Sequence, residues 1–509
     1  MRYKPLVLAS VVLCAAAAMA PNAETAGAQP QYTFTTPNPQ ATAQFGVSVA
    51  LGDIDGDGKA DVVVGAQSES VGGNFAQGRA YVFSGASGAL LCTLTTPTPQ
   101  AFAYFGNSVA LGDVNKDGRA EVAVGAVWQN VGGNVQQGQA YVFAYSVGTC
   151  SLLSTLNSPN GQSNGRFGGP LAARDVNGDG NADVCVGAGG ETAGGVADQG
   201  RVYCFSGATG ALLYTLTTPN PEGANFGGSA LALGEVDSDN KADIVVGASG
   251  ETVEGIPQAG RVYVFSGANG TLLYTLKSPN PEAIARFGGP VAVGDTDCDG
   301  RADIAAGSSE DVGGVTNQGR VYVFSGATGA LRSPPFPPFL TTPNSQANDA
   351  FGLAVAAGDV NGDCRADIAV GAYSEDVGGV AGAGRAYVFS GTSGSVLYTY
   401  TAPTLETDAV FGYKIATGDF NGDGRADTCV GNPHANVGSN INQGRVYCFL
   451  SGGPVGGIAE APGAADSALG TAESPDGSSA TTYAAIAAVA AAAILLAAGV
   501  WYARRRWPC

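Results

Sequence analysis

The sequence predicts an all-β fold: a seven-bladed β-propeller whose ring is closed by an N-terminal strand, followed by one C-terminal transmembrane helix. Three observations carry this. A unit opening on Phe-Gly recurs at Phe45, Phe105, Phe167, Phe226, Phe287, Phe351 and Phe411, with intervals of 59 to 64 residues, and a fixed period signals a repeat architecture. Each unit holds four short apolar runs bounded by Gly, Pro and Asn, as short antiparallel strands require. The last unit stops after its third run, Arg445 to Phe449, whereas residues 31–39 supply a fourth run and its connector before the first unit begins. Pairing the two ends closes the ring and leaves only short outer edges exposed.

Within the first unit the elements follow in order. SVALGD reads as an inner strand and ADVVVGA, after a short acidic loop, as a second. A Gly-rich loop of about a dozen residues leads to a third strand, RAYVFSG. The turn ASGA then enters a fourth, LLCTLTTP, and NPQATAQ, or its equivalent, connects to the next Phe-Gly.

The acidic loop carries the most chemistry. Asp53, Asp55, Asp57 and Asp61 stand at loop positions 1, 3, 5 and 9, with the Lys59 carbonyl at position 7. That spacing wraps oxygen ligands around one hard cation, and Ca²⁺ is the expected occupant. Gly58 at position 6 supplies the positive φ that folds the loop back. The same positions are Asp113, Asn115, Asp117, Arg119 and Glu121 in the second unit, and Asp175, Asn177, Asp179, Asn181 and Asp183 in the third. They are Glu235, Asp237, Asp239, Lys241 and Asp243 in the fourth, and Asp295, Asp297, Asp299, Arg301 and Asp303 in the fifth. The sixth has Asp359, Asn361, Asp363, Arg365 and Asp367; the seventh has Asp419, Asn421, Asp423, Arg425 and Asp427. Up to seven ions are implied. The fourth and sixth sites are expected to be the weakest, because Glu235 lengthens position 1 and Cys364 takes the glycine position.

Net charge is −19, and 24 of the 43 acidic residues lie in the seven loops. The acidity is therefore mostly metal-site acidity, and it argues against a nucleic-acid partner. Residues 1–28 read as a secretory signal peptide, with Arg2 and Lys4 before an apolar run. Residues 29–450 are the propeller and 451–481 a flexible Gly/Ala/Ser stalk. Residues 482–502 form a membrane helix, since 20 uncharged residues run from Tyr483 to Tyr502. Residues 503–509 form a cytoplasmic tail, because Arg504, Arg505 and Arg506 follow at once. The expected topology is single-pass type I, with the propeller extracellular.

The Phe-Gly openings, Val-Gly-Ala endings and DxDxDGxxD loops resemble FG-GAP repeats, as in the seven-bladed propeller of integrin α subunits, over about 420 residues. The resemblance implies Ca²⁺ in the loops of a lower face. It also implies an upper face, built by the loops between strands two and three, that meets ligands. The leg domains and inserted ligand-binding domain of that family have no counterpart here.

Cys185 and Cys204 occupy strands two and three of the third repeat, and Cys429 and Cys448 the same places in the seventh. A disulfide in each blade, or buried free thiols, fits that both-or-neither pattern. Cys92, Cys150, Cys298 and Cys364 have no partner that sequence assigns. Glu69, Glu191, Glu251, Glu310 and Glu375 recur in the upper loops, opposite Arg79, Arg201, Arg261, Arg320 and Arg385. They form either an acidic ring for a cationic partner or a buried pair in each blade; the joint change to Gln129 and Gln139 in the second repeat favours the pair. Phe75 and Trp128, on variable upper loops, are the candidate ligand-binding residues.

No catalytic constellation is present in the sequence, so the expected function is non-enzymatic. It is that of a membrane-anchored, calcium-binding adhesion or recognition module for an extracellular protein or glycan. The alternatives are a lyase-like polysaccharide enzyme and a passive surface coat.

Overall fold

The computed structural model describes residues 29–452, which form seven β-sheets from 27 strands, with no helix among the described residues. The segments expected to be the leader (1–28), nearly all of the stalk (451–481), the membrane helix (482–502) and the tail (503–509) lie outside the described residues.

Strand β1 (Tyr32–Phe34) belongs to the last blade. In the first blade β2 (Phe45–Gly52), β3 (Asp61–Ala66), β4 (Arg79–Phe83) and β5 (Leu90–Leu94) follow one another antiparallel from axis to rim. All six residues of β3 are buried, because neighbouring blades cover both of its faces. This is why DVVVGA reads as a continuous apolar run rather than an alternating one. At the rim, β5 alternates and exposes Leu90 and Thr93.

The Phe-Gly signature has a packing explanation. All seven opening phenylalanines are fully buried. Phe45 lies 5.9 Å from the Tyr81 ring and meets Phe83 edge-on at 6.1 Å. Burial of each such ring contributes about 1.5–3 kcal/mol. The glycine of the Val-Gly-Ala ending answers the next blade: a Cβ on Gly65 would sit 1.9 Å from the Gly106 carbonyl oxygen. The contact recurs around the ring, ending with Gly431 against the Gly46 oxygen at 2.2 Å. Blades thus meet backbone to backbone, which only glycine permits.

Each first strand packs against the next, and Lys414–Gly418 of the last blade returns to β2. The apolar clusters straddle blades as well, one joining Phe45, Val62 and Val64 to Phe420, Val446 and Cys448. Closure is as expected: β1 pairs with Arg445–Phe449, Tyr32 opposite Cys448 and Phe34 opposite Val446.

Two expectations are corrected. The fifth blade has three strands, not four. The proline-rich insert of residues 333–338 lacks the N–H groups a ladder needs. The segment is tied down instead by the Val321–Leu340 (2.9 and 2.8 Å) and Phe324–Leu331 bridges, the Arg332-to-Val323 bond (2.8 Å) and the Arg332 side chain on Asp303 (2.8 Å). In the fourth, fifth and seventh blades the regular inner strand starts at Leu231, Val291 and Lys414, after the Phe-Gly rather than on it.

Three disulfides form among the described residues. Cys185–Cys204 and Cys429–Cys448 bridge directly opposed residues of adjacent strands, Cα atoms 4.0 Å apart, so these cysteines are not free thiols. Cys92–Cys150 staples the outer strands of the first two blades, a pairing across repeats that no periodicity within a repeat could assign. Cys298 and Cys364 remain free and exposed.

Candidate metal loops and recognition face

The acidic loops join strands one and two, and the Glu-bearing loops join strands two and three, so antiparallel pairing puts them at opposite ends of each blade. In the first acidic loop, carboxylate oxygens of Asp53, Asp55 and Asp57 lie within 4.8 Å of one another, and the trios at Glu235 and Asp295 do the same. The longer Glu235 therefore still reaches its trio. Backbone amides hold the carboxylates in place: Asp53 accepts from Gly56 (2.7 Å) and Gly58 (2.9 Å), and Asp57 from Lys59 (2.9 Å). Two acceptors inside these cages, Glu235 Oε2 and Asp297 Oδ1, are buried and have no hydrogen-bond partner. An all-oxygen donor set with such orphaned acceptors fits a hard cation, and in the fifth loop Arg332 also pairs with Asp303 (2.8 Å) and Asp297 (3.7 Å).

Position 9 also has a structural duty. Asp61 is fully buried. It accepts from the amides of Ile54 (2.8 Å) and Asp55 (3.0 Å) within its loop and from Gly85 (3.0 Å) after β4. Burial pushes its carboxyl up to about 6 in spite of these bonds, and Glu121 in the second loop up to about 7. In the asparagine loops Asn177 Nδ2 faces Asp179 (3.0 Å), while Asn177 Oδ1 accepts from the Asp179 amide (2.8 Å). A cation at that position calls for the amide to turn its oxygen inward.

Position 6 is left-handed as expected, including Asn240 (φ 63°) and Cys364 (φ 65°). Position 4 is left-handed too, at Gly56, Lys116, Gly178, Ser238, Cys298, Gly362 and Gly422. Sequence reasoning passed over it, although glycine at four of seven loops was a usable signal.

At the other end the recurring glutamates are buried, which sets aside an acidic ring open to a partner. Glu69 accepts from Arg79 (3.0 Å) and Tyr81 (2.6 Å), and from Thr36, which leaves the closing strand of the neighbouring blade. Glu191, Glu251, Glu310 and Glu375 pair with Arg201, Arg261, Arg320 and Arg385 at 2.8 to 3.3 Å. In the seventh blade Ala402 and Ala435 replace the hydroxyl and carboxylate together, and Glu406 takes over Arg445 at 3.3 Å. Burial pushes Glu375 up to about 7, the Arg385 ion pair opposing that rise and the nearby Asp349 adding to it.

On the same face Phe75 is exposed at its loop tip and packs against Phe102 at 5.4 Å. Phe102 continues to Tyr104 at 6.5 Å, and Tyr104 meets Trp128 edge-on at 4.8 Å. Four aromatics thus form one run across the first two blades. Phe102 and Tyr104, on the connector, escaped the sequence reading because only the fold brings them beside Phe75 and Trp128.

The FG-GAP repeat model matches residues 45–83, 105–143, 167–205, 227–265, 287–324, 351–389 and 411–448. The chain is 34% identical over 224 residues to integrin alpha pat-2 of Caenorhabditis elegans, covering 40% of this chain and 18% of that protein. It is 32% identical over 238 residues to integrin alpha-IIb of Mus musculus, covering 43% and 22%. Against integrin alpha-2 of Bos taurus it is 33% identical over 165 residues, covering 30% and 14%. The matched region thus spans less than a quarter of these relatives.

Proposed function

The chain belongs to the FG-GAP repeat family, and on that premise we propose that it is an extracellular, non-catalytic recognition module. Its propeller is locked by Ca²⁺ in the acidic loops and held at the membrane by the apolar segment at 482–502. The opposite face binds a protein or glycan.

The observation that carries the recognition reading is the aromatic run. Phe75 and Phe102 stay about half exposed (55% and 49%), although the phenylalanines that open each repeat are fully buried. Exposed neighbouring aromatics on rigidly held loops are what binding surfaces favour. The orphaned Glu235 and Asp297 oxygens support the calcium reading. Bound Ca²⁺ would supply the charge that lets clustered carboxylates face inward, and Asp53, Asp55, Asp57, Asp61 and the Lys59 carbonyl would hold it in the first loop. The separation of roles fits: near-uniform acidic loops stiffen one end while variable loops are presented at the other.

The test is binding of the purified chain to glycan and cell-surface protein arrays, with Ca²⁺ and with chelator. Saturable binding that Phe75→Ala with Trp128→Ala abolishes, without a change in melting temperature, is expected. Binding indifferent to that pair contradicts the choice of face.

A further inference from the structure

First strands of all seven blades line an axial channel of about 610 Å³. Toward the upper loops it merges with a pocket of about 510 Å³ on the side of blades four to seven, sharing Asn225, Ser229, Tyr413 and Lys414 with it. In a chain of net charge −19, no carboxylate lines either cavity. The charged groups there are all cations: Arg286 and Lys414 in the pocket, with Arg166 in the channel.

None of the three is held as the loop-closing arginines are, and none lies beside the acidic loops as the other unpaired arginines Arg119, Arg174, Arg301, Arg365 and Arg425 do. Arg79, Arg201, Arg261, Arg320, Arg332, Arg385 and Arg445 are all ion-paired, whereas Arg166, Arg286 and Lys414 make no ion pair among the described residues. The repeat pattern does not require them either. Where the seventh blade has Lys414, five others carry Ser48, Ser108, Pro170, Pro290 and Ala354. Arg166 and Arg286 precede Phe-Gly where other blades have Gln44, Tyr104, Asn225, Ala350 and Val410. Lys414 is exposed to the solvent of the channel, and the protein crowded around it lowers its ammonium below the ordinary lysine range. Unpaired cations in an open cavity that no carboxylate lines are placed to meet an anion.

The rest of the pocket narrows the ligand. Tyr373 and Tyr413 lie 5.5 Å apart and offer apolar ring faces. Asn225 donates to Ser229 (2.9 Å), which in turn meets Ser249 (2.9 Å), a short relay of groups that can exchange hydrogen bonds with hydroxyls. The volume lies within the range of small-ligand sites.

We propose that the upper mouth of the axial channel binds an acidic saccharide, a sugar ring bearing a carboxylate. Lys414 and Arg286 take the carboxylate, the tyrosines face the ring and the Asn225–Ser249 relay takes hydroxyls. This names a ligand class for the recognition face and so rests on that reading, but it uses other residues than the aromatic run.

The test is calorimetric titration of the purified full-length chain in Ca²⁺ with glucuronic acid, its methyl ester and inorganic sulfate. The acid should bind at least tenfold more tightly than the ester or sulfate. Arg286→Ala with Lys414→Met should weaken binding at least tenfold at an unchanged melting temperature. Lys414→Arg should keep it, as should Arg174→Ala, which removes one positive charge next to the acidic loops. Ester or sulfate binding as tightly as the acid, no binding of the acid by folded protein, or full binding by the double variant overturns the proposal. Phe75→Ala with Phe102→Ala, neither of which lines the channel, separates the two readings: acid binding kept there supports the channel site, and acid binding lost there overturns it.

Discussion

The backbone amide of Ala60 donates to the carbonyl of Asp419 at 2.8 Å, joining the acidic loop of the first blade to that of the last. The same bond links each loop to the one before it, as from Ala120 to Asp53 and from Ala182 to Asp113, both 2.7 Å. The loops are therefore a closed chain rather than seven separate cages. Side chains reinforce it, since Arg119 lies over the first loop and Lys59 over the last.

Closure makes the N-terminal strand a structural part. Deleting residues 29–39, with the leader kept, removes the partner of Arg445–Phe449, the buried Phe34 and the Thr36 bond to Glu69. A loss of roughly 3–5 kcal/mol is expected from denaturant unfolding. Deleting 455–479 should cost under about 0.5 kcal/mol, as changes away from packed features do. Equal stability of the two deletions would contradict the role given to β1.

The buried glutamate of the sixth blade sets a pH dependence. Glu375 is held at about 7 in the fold against 4.5 for an ordinary glutamate, so the folded chain binds the extra proton between these values. Its contribution is complete below about 4.5 and is lost as pH rises through 7. Stability of the parent should thus fall relative to Glu375→Gln by roughly 1–3 kcal/mol between pH 5 and 8 in saturating Ca²⁺. Parallel profiles for the two proteins would rule this out.

Cys364 stands in the left-handed region at φ 65°, where a Cβ costs about 1–2 kcal/mol. Cys364→Gly should raise the melting temperature slightly and tighten Ca²⁺ binding at the sixth loop, read by calorimetric titration. Weaker binding in the glycine variant would show that the thiol itself serves the site.

At the aromatic run, Phe75→Ala with Trp128→Ala should cost more than about 1.4 kcal/mol, tenfold in affinity, for whichever ligand an array returns. Exposed lower-face substitutions outside the acidic loops should leave that affinity unchanged; the reverse pattern would place binding on the wrong face.

Much of this was legible in the sequence because each repeat solves the same packing problem with the same residues. Phe45 and Gly65 are read from period alone, since blade contact demands a ring and a bare backbone at those places. The split last blade was legible because residues 31–39 copy a motif seen elsewhere. What stayed hidden depends on contacts between repeats or on departures from the pattern. Cys92 and Cys150 meet only because two outer strands lie side by side. Glu406 replaces a missing partner from a different loop. Lys414 looks like an ordinary surface lysine until the ring places it at the axial channel.

The central claim, a propeller locked by calcium, is tested most directly by thermal unfolding of the purified chain before and after metal removal verified by elemental analysis. The loaded protein should contain several Ca²⁺ ions per chain, up to seven, and should melt about 10 °C or more above the stripped protein, with Ca²⁺ restoring the difference. A stripped protein that melts where the loaded one does would contradict it.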